Sequence, residues 1–316
     1  MNLNFQALLV AFLLAGFVQA AAQSGAAHDA AWRGDVQRLE TLLKENPELA
    51  NAPDKFSGVP PLWYAIDYKH PKAVEVLIKN GADVNRVPTN GVGAHSWTPL
   101  QNAMFSGSDE IVEMLLEHGA KCGIVEAAAL GKLDIIKKLL SEDPTLIEKR
   151  SNFGFSGKGG TPLYWAVSRG RTNVVEYLLK NKADANARHD DASFNRTPLL
   201  LAIGRANMDM VKLLLANGAD AKAADSIGWT GLHYIANAGP KYGIVPKDPK
   251  PLDWTASQSQ LDIAQLLLDH GADINAKDGL NRTPLRAALN PSGAVQNFAD
   301  FLRKRGGKED WPKPGL

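Results

Sequence analysis

The chain has 316 residues, and its 35 lysines and arginines almost cancel its 34 aspartates and glutamates. A net charge near zero gives no electrostatic reason to expect a nucleic-acid partner. One cysteine excludes an internal disulfide framework and any cysteine-rich zinc site.

The first element is an apolar run from Ala7 to Val18. It is short for a membrane span, which needs about 20 apolar residues. It ends in small residues, Val18-Gln19-Ala20 or Ala20-Ala21-Ala22, before polar Gln23 and Ser24. That pattern predicts a secretory signal peptide over residues 1–22, hence an exported protein, periplasmic or secreted, with no membrane span once the signal is removed. Met1 to Gln6 contains no Lys or Arg. Leu14-Ala15-Gly16 is similar to a lipoprotein signal, but Phe17 stands where the lipidated cysteine would be needed.

Helix–turn–helix units follow. His28 to Pro53 has Ala30-Ala31-Trp32-Arg33-Gly34-Asp35 as a helix end and turn, then the stripe Val36, Leu39, Leu42 and Leu43. A second unit runs from Gly58 to Arg86, with Val74, Val76, Leu77 and Ile78 in its second helix. After a loop over 87–96, a third runs from Trp97 to Lys121, with Ile111, Val112, Leu115 and Leu116 inward. The fourth is abbreviated: Cys122-Gly123 follows Lys121 with no room for a hairpin, though Leu133, Ile135, Ile136, Leu139 and Leu140 still supply a core. A long glycine-rich connection leads to the fifth, Thr161 to Ala187. The seventh starts at Gly228 and is interrupted by a Pro-rich insertion near 240–257, and its second helix resumes at Leu261. The eighth, Arg282 to Arg305, is a weakly patterned C-terminal cap, and 308–316 is expected to be an exposed tail.

The sixth unit, Asn195 to Ala223, is the most complete. Thr197 can cap a helix, Pro198 suits its first turn, Asn207 makes the turn, and Met210, Val211, Leu214 and Leu215 line the second helix until Gly218 ends it. Its signature returns in phase. Pro60-Pro61-Leu62 pairs with Gly81-Ala82-Asp83, and Thr98-Pro99-Leu100 with Gly119-Ala120-Lys121. Thr161-Pro162-Leu163 pairs with Lys182-Ala183-Asp184, and Thr230-Gly231-Leu232 with Gly271-Ala272-Asp273. The chain therefore resembles the ankyrin repeat family, whose pattern reads Thr-Pro-Leu-His at the first helix and Gly-Ala-Asp after the second. The resemblance implies an all-α, ankyrin-type solenoid over residues 23–307, about eight repeats with degenerate ends and short β-hairpin fingers. It also implies that His233, which keeps the family's histidine, ties one repeat to the next.

No catalytic constellation stands out. Gly154 to Thr161 lacks the ending of a phosphate-binding loop, since Gly159 follows Lys158. His118 and His270 read as helix-end hydrogen bonders, His189-Asp190-Asp191 as a polar hairpin tip, and Cys122 as buried and inert. Asn195-Arg196-Thr197 and Asn281-Arg282-Thr283 match the glycosylation acceptor pattern but read as turn residues before a helix cap. No cofactor and no metal are expected.

The binding surface is the better candidate, because solenoids recognise partners with an extended face. The family's variable residue before Thr-Pro-Leu falls on Trp97, Arg196, Trp229 and Arg282. The variable pair after the first helix includes Trp32 and Arg33, Tyr68, Phe105, Arg169 and Arg205. Trp, Tyr and Arg dominate this set, as they do binding hot spots. From the sequence we expect a monomeric, non-catalytic module that binds another protein through Trp97, Arg196, Trp229, Arg282, Tyr68, Phe105, Arg169 and Arg205. An inhibitor or immunity protein acting on a secreted enzyme or toxin is a sharper version. An enzyme with its site in the 240–257 insertion, which offers Lys241, Lys247, Asp248, Lys250 and Asp253, is the alternative of another class.

Overall fold

In a computed structural model of the chain, the residues described are 25–55, 57–88, 97–152, 159–190, 195–237, 255–289 and 295–310. The signal-like segment, most of the 87–96 loop, 153–158, and the insertion up to 254 lie outside them. The chain divides into two compact units, Met1–Cys122 and Gly123–Leu316, and the division falls at the abbreviated fourth repeat.

The first unit pairs α1 (25–33) with α2 (Val36–Glu45), α3 (Pro61–Asp67) with α4 (Pro71–Lys79), and α5 (Pro99–Ser106) with α6 (Asp109–Glu117). The second pairs α7 (Ile124–Leu130) with α8 (Leu133–Glu142), α9 (Pro162–Ser168) with α10 (Thr172–Lys180), and α11 (Pro198–Gly204) with α12 (Met208–Ala216). It continues with α13 (Gly231–Ala236) and α14 (Gln258–Asp269), then α15 (Pro284–Ala288) and α16 (Gln296–Arg303). Within each unit the first helices of the pairs pack in a row, α3 on α5, and α7 through α9, α11 and α13 to α15. The core lies between that row and the second helices, with Leu62, Val74, Leu77, Leu100, Ile111 and Leu115 buried in one unit and Leu163, Val175, Leu178, Leu199, Leu214 and Leu267 in the other. Each buried leucine contributes about 1.5–3 kcal/mol.

Local chemistry starts each pair. The Thr98, Thr161, Thr197 and Thr283 hydroxyls accept the N–H three residues on, from Gln101, Tyr164, Leu200 and Arg286, and proline follows each threonine. The turn between helices needs a left-handed residue, supplied by Gly170 (φ 66°) in the fifth repeat and by Ala206 (φ 52°) in the sixth. Ala206, not Asn207, therefore makes that turn. The Asn207 side chain instead accepts the Met210 N–H at 3.1 Å and caps α12.

A ladder of side-chain amides joins successive repeats. Asn51 donates to Gly81 O at 2.7 Å and accepts the Asp83 N–H at 2.8 Å. Asn85 does the same with Gly119 O (3.0 Å) and the Lys121 N–H (2.7 Å). In the second unit Asn186 clamps Gly218 O (2.9 Å) and the Asp220 N–H (2.8 Å), and Asn275 clamps Gly306 O (3.4 Å) and the Lys308 N–H (2.8 Å). Lys222 occupies the rung between the sixth and seventh repeats and has no carbonyl to accept with.

Several expectations need refinement. Instead of paired strands, the described fingers contain one isolated bridge, Ala224 to Thr230, because aspartates close them as tight turns. Short 3₁₀ turns at Pro47–Asn51 and Pro144–Glu148 follow α2 and α8. The C-terminal cap is better packed than its pattern suggests, with Phe298 and Leu302 fully buried. Residues 308–310 are held on the body: Lys308 O accepts the Thr283 hydroxyl, and Asp310 pairs with Lys277 at 2.8 Å. Cys122 is half-buried, not fully enclosed.

Leu214→Ala should cost about 2–5 kcal/mol in chemical denaturation, because Leu214 is fully buried. Lys222→Ala should stay within about 0.5 kcal/mol of the parent. Lys222→Asn should raise the stability by about 0.5–1.5 kcal/mol by restoring the rung; no gain would show that the ladder does not carry the inter-repeat register.

Candidate functional site

The surface that could meet a partner is built from three kinds of position: the C-terminal ends of the first helices, the turns after them, and the finger tips. In the first unit three aromatic side chains stand at the ends of successive first helices. Trp32 is 42% exposed, Tyr68 53% and Phe105 37%. Trp32 and Tyr68 meet edge to face with ring centroids 5.7 Å apart, so the first two repeats present one aromatic ridge. The Arg33 guanidinium lies 5.3 Å from the Trp32 ring centroid and bonds Asp29 at 2.8 Å. These rings are held out at the surface because α1, α3 and α5 end there, and the turns behind them carry the left-handed residues Gly34, Lys69 and Gly107.

The four residues expected before Thr-Pro-Leu are all half-buried and engaged within their own unit. Trp97 stacks on Phe105 with centroids 4.4 Å apart and so props up the exposed ring. Trp229 meets Tyr234 edge-on at 5.7 Å, and the Arg196 guanidinium lies over the same Tyr234 ring at 5.3 Å. Arg282 forks onto Asp278 through Nε (2.9 Å) and Nη2 (2.7 Å). Arg169 and Arg205, in contrast, are exposed on the turns after α9 and α11.

The finger loops owe their shape to aspartates the sequence reading passed over. Asp225 Oδ1 accepts the Ile227 and Trp229 N–H groups, and its Oδ2 accepts the Tyr234 hydroxyl at 2.7 Å. Burial and then the bond to Asp225 push the Tyr234 phenol well above its ordinary value. Asp278 repeats the loop closure with Leu280 and Arg282. Burial alone would raise the Asp278 carboxyl, but the hydrogen bonds from Arg282 outweigh it and hold the group below its ordinary value. Asp54 closes the first unit's finger with Ser57 and Tyr64. The legible signal was an aspartate five or six residues before the helix cap, a distance that gains meaning only once the loop is closed.

These closures expose Ile227 and Leu280 at neighbouring tips, 46% and 70% exposed. The Gly279 N–H donates to Ile227 O at 2.8 Å, and a Cβ at Gly228 would lie 2.8 Å from Gly279 N, so the two tips touch backbone to backbone.

His233 is fully buried between these fingers. Its Nδ1 accepts the Thr230 N–H (3.3 Å) and hydroxyl (2.9 Å), and its Nε2–H donates to Arg282 O at 2.9 Å. That arrangement fits the neutral ring, and burial lowers its pKa. His118 and His270 each bond the carbonyl four residues earlier, Met114 O and Leu266 O, at 2.8 Å. His189 packs on Tyr164 with ring centroids 4.7 Å apart, and Asp190 pairs with Arg150 at 3.1 Å. Asn195 and Asn281 are left-handed turn residues. Among the described residues no His, Cys, Asp and Glu cluster is arranged to hold a metal, and no helix is long and apolar enough to cross a membrane. The charged residues of the 240–257 insertion lie outside the described residues.

The His233 geometry fixes a pH dependence. The folded ring binds its proton less tightly than the unfolded one, so unfolding takes up a proton once the pH falls below the ordinary imidazole value of 6.5. Stability should fall from that pH towards the folded pKa and level off below it. Thermal melts of His233→Gln should show a lower Tm at neutral pH and a shallower acid loss; parallel acid limbs in the two proteins would remove His233 as the titrating group.

The family model described as ankyrin repeats (3 copies) matches residues 27–126, 124–225 and 207–278. The ankyrin repeat protein nuc-2 of Neurospora crassa is 28% identical over 165 residues, 50% of this chain and 15% of that protein. Alpha-latrocrustotoxin-Lt1a of Latrodectus tredecimguttatus is 28% identical over 126 residues, 37% of this chain and 8% of its own. The chain thus spans a small part of these two long relatives. A putative ankyrin repeat protein of fowlpox virus is 30% identical over 149 residues, 45% of this chain and 96% of the viral one. The crystal structure of the human ASB11 ankyrin repeat domain superposes with a TM-score of 0.48 at 27% identity, covering 78% of this chain and 98% of that domain.

Proposed function

The chain belongs to the ankyrin repeat family, and from that premise we propose that it is an exported, non-catalytic module that binds another protein through the ends of its first helices. The observation that carries the reading is the exposure of Trp32, Tyr68 and Phe105 at the same place in three successive repeats of one unit. Large rings held rigidly at the surface lose little conformational freedom on binding and bury much area, which is how hot spots arise. Trp32 and Tyr68 already fix each other edge to face, and Trp97 fixes Phe105, so the ridge is preorganised.

Export follows from the Ala7–Val18 run and the small residues after it. A partner met outside the cytoplasm is then itself an exported protein. Inhibition of, or immunity to, a secreted enzyme or toxin is the sharper form of this reading.

A capture experiment tests the reading, with the chain as bait against secreted or envelope extract of its source and a parallel bait carrying Trp32→Ala, Tyr68→Ala and Phe105→Ala. One stoichiometric partner should bind the first bait and be lost, by at least about tenfold, from the second. The same proteins on both baits would move the contact surface off the aromatic ridge.

A further inference from the structure

The net charge of +1 conceals an uneven distribution within the second unit. Its helices α8, α10 and α12 carry acids and bases in balance: Asp134, Glu142, Glu176 and Asp209 against Lys137, Lys138, Lys180 and Lys212. The row of first helices packed beside them differs. Over α7, α9 and α11 and the turns that follow, the charged side chains are Lys132, Arg169, Arg171, Arg205 and a single acid, Glu126. The Glu126 carboxylate folds back over Gly123 at the opposite end of α7. The cationic groups therefore gather at one end of three adjacent helices, where they outnumber the acids of the adjoining first turns, Asp134 of α8 and Asp209 of α12. At the corresponding end of α1 in the first unit the arginine is already neutralised, Arg33 being bonded to Asp29.

Two of these guanidinium groups are anchored from behind. Arg171 Nε donates to Ala129 O, near the C-terminus of α7, at 3.1 Å, and its Cδ would lie 3.1 Å from a Cβ on Gly131. Arg205 Nη1 donates to Val167 O, near the C-terminus of α9, at 3.4 Å. Each bond uses one of five N–H donors and aligns the group with the negative end of a helix, leaving a planar fork to meet an anion. Forks of this kind match carboxylates two bonds at a time.

We propose that the Arg169–Arg171–Arg205 row is a docking strip for an extended acidic polypeptide segment, which deepens the module reading by giving the partner's chemistry. Packed helices lie about 8–10 Å apart, and an extended chain advances about 3.3 Å per residue. Carboxylates at every third position thus match the step from one repeat to the next. Single-stranded nucleic acid is the less suitable anion, because it binds through aromatic stacking as well as charge. None of the exposed large apolar side chains among the described residues belongs to α7, α9, α11 or the turns after them.

The test is fluorescence anisotropy on the full chain with a labelled peptide of about twelve residues bearing glutamate at every third position. Comparison probes are a peptide of the same composition with the glutamates contiguous and an oligothymidylate of equal charge. The spaced peptide should bind best. Arg169→Ala with Arg205→Ala should weaken it about tenfold or more, and Arg169→Lys with Arg205→Lys, which keeps the charge and loses the fork, should weaken it by less. Lys304→Ala, at the distant end of α16, should leave it unchanged. Circular-dichroism melts check that the variants are folded; if the alanine pair is not, the lysine pair alone decides, and binding equal to the parent overturns the proposal. Equal or tighter binding of the contiguous peptide or the oligothymidylate also overturns it, by reducing the row to a general anion surface. Loss of the captured partner from the aromatic-ridge bait, with no effect of the arginine changes, would leave the module reading standing and sink this one.

Discussion

No helix pair in this protein can bury its own apolar face, and the rest of the structure follows from that constraint. α12 presents Met210, Val211, Leu214 and Leu215, all buried, but seven residues of α11 cannot cover them alone. The cover comes from the neighbouring pairs. Stability in such a stack is a sum of weak units and strong interfaces, so the interfaces carry the information. The polar groups buried among the described residues include the helix-capping Thr161, Thr197 and Thr283, His233 and the finger aspartates Asp225 and Asp278, while the asparagine rungs between repeats are half-buried.

The same constraint separates scaffold from surface. Apolar residues are consumed by the interfaces, and the first-helix ends and finger tips are released from packing. What stands there is less constrained by the core. In the first unit that freedom is used for aromatic rings, and in the second for guanidinium groups and apolar tips. Several of the surface-looking residues are not free at all. Arg282 is committed to Asp278, and Trp229 and Arg196 both lean on Tyr234, so the finger is stiffened from inside. A rigid finger loses less entropy on binding than a mobile one.

Electrostatics plays a smaller and more local part. Most ion pairs are exposed, such as Arg33 with Asp29 and Lys79 with Glu75, and contribute little to stability. The groups with consequence are those taken out of water. His233 stays neutral because both ring nitrogens have partners suited to the neutral tautomer, and Asp278 stays ionised because Arg282 and two backbone N–H groups surround it.

The sequence by itself determined the helix pairs and their phase. Threonine–proline starts, apolar spacing at three and four, and turn residues are local signals, and α12 begins and ends where its pattern places it. The structural role of His233 and the helix-end bonds of His118 and His270 were legible for the same reason, since each depends on a fixed position within a repeat. Tertiary structure alone decided what each surface residue touches. Trp97 and Phe105 are close in sequence, but whether the pair faces solvent or a neighbouring repeat depends on how α5 is packed, which no local pattern encodes. The aspartate closures, the ladder with its missing rung at Lys222, and the burial of Phe298 are contacts between distant residues or across closed loops. Their energies exist only after the repeats have stacked, because only then are the partner groups brought within hydrogen-bonding and van der Waals reach.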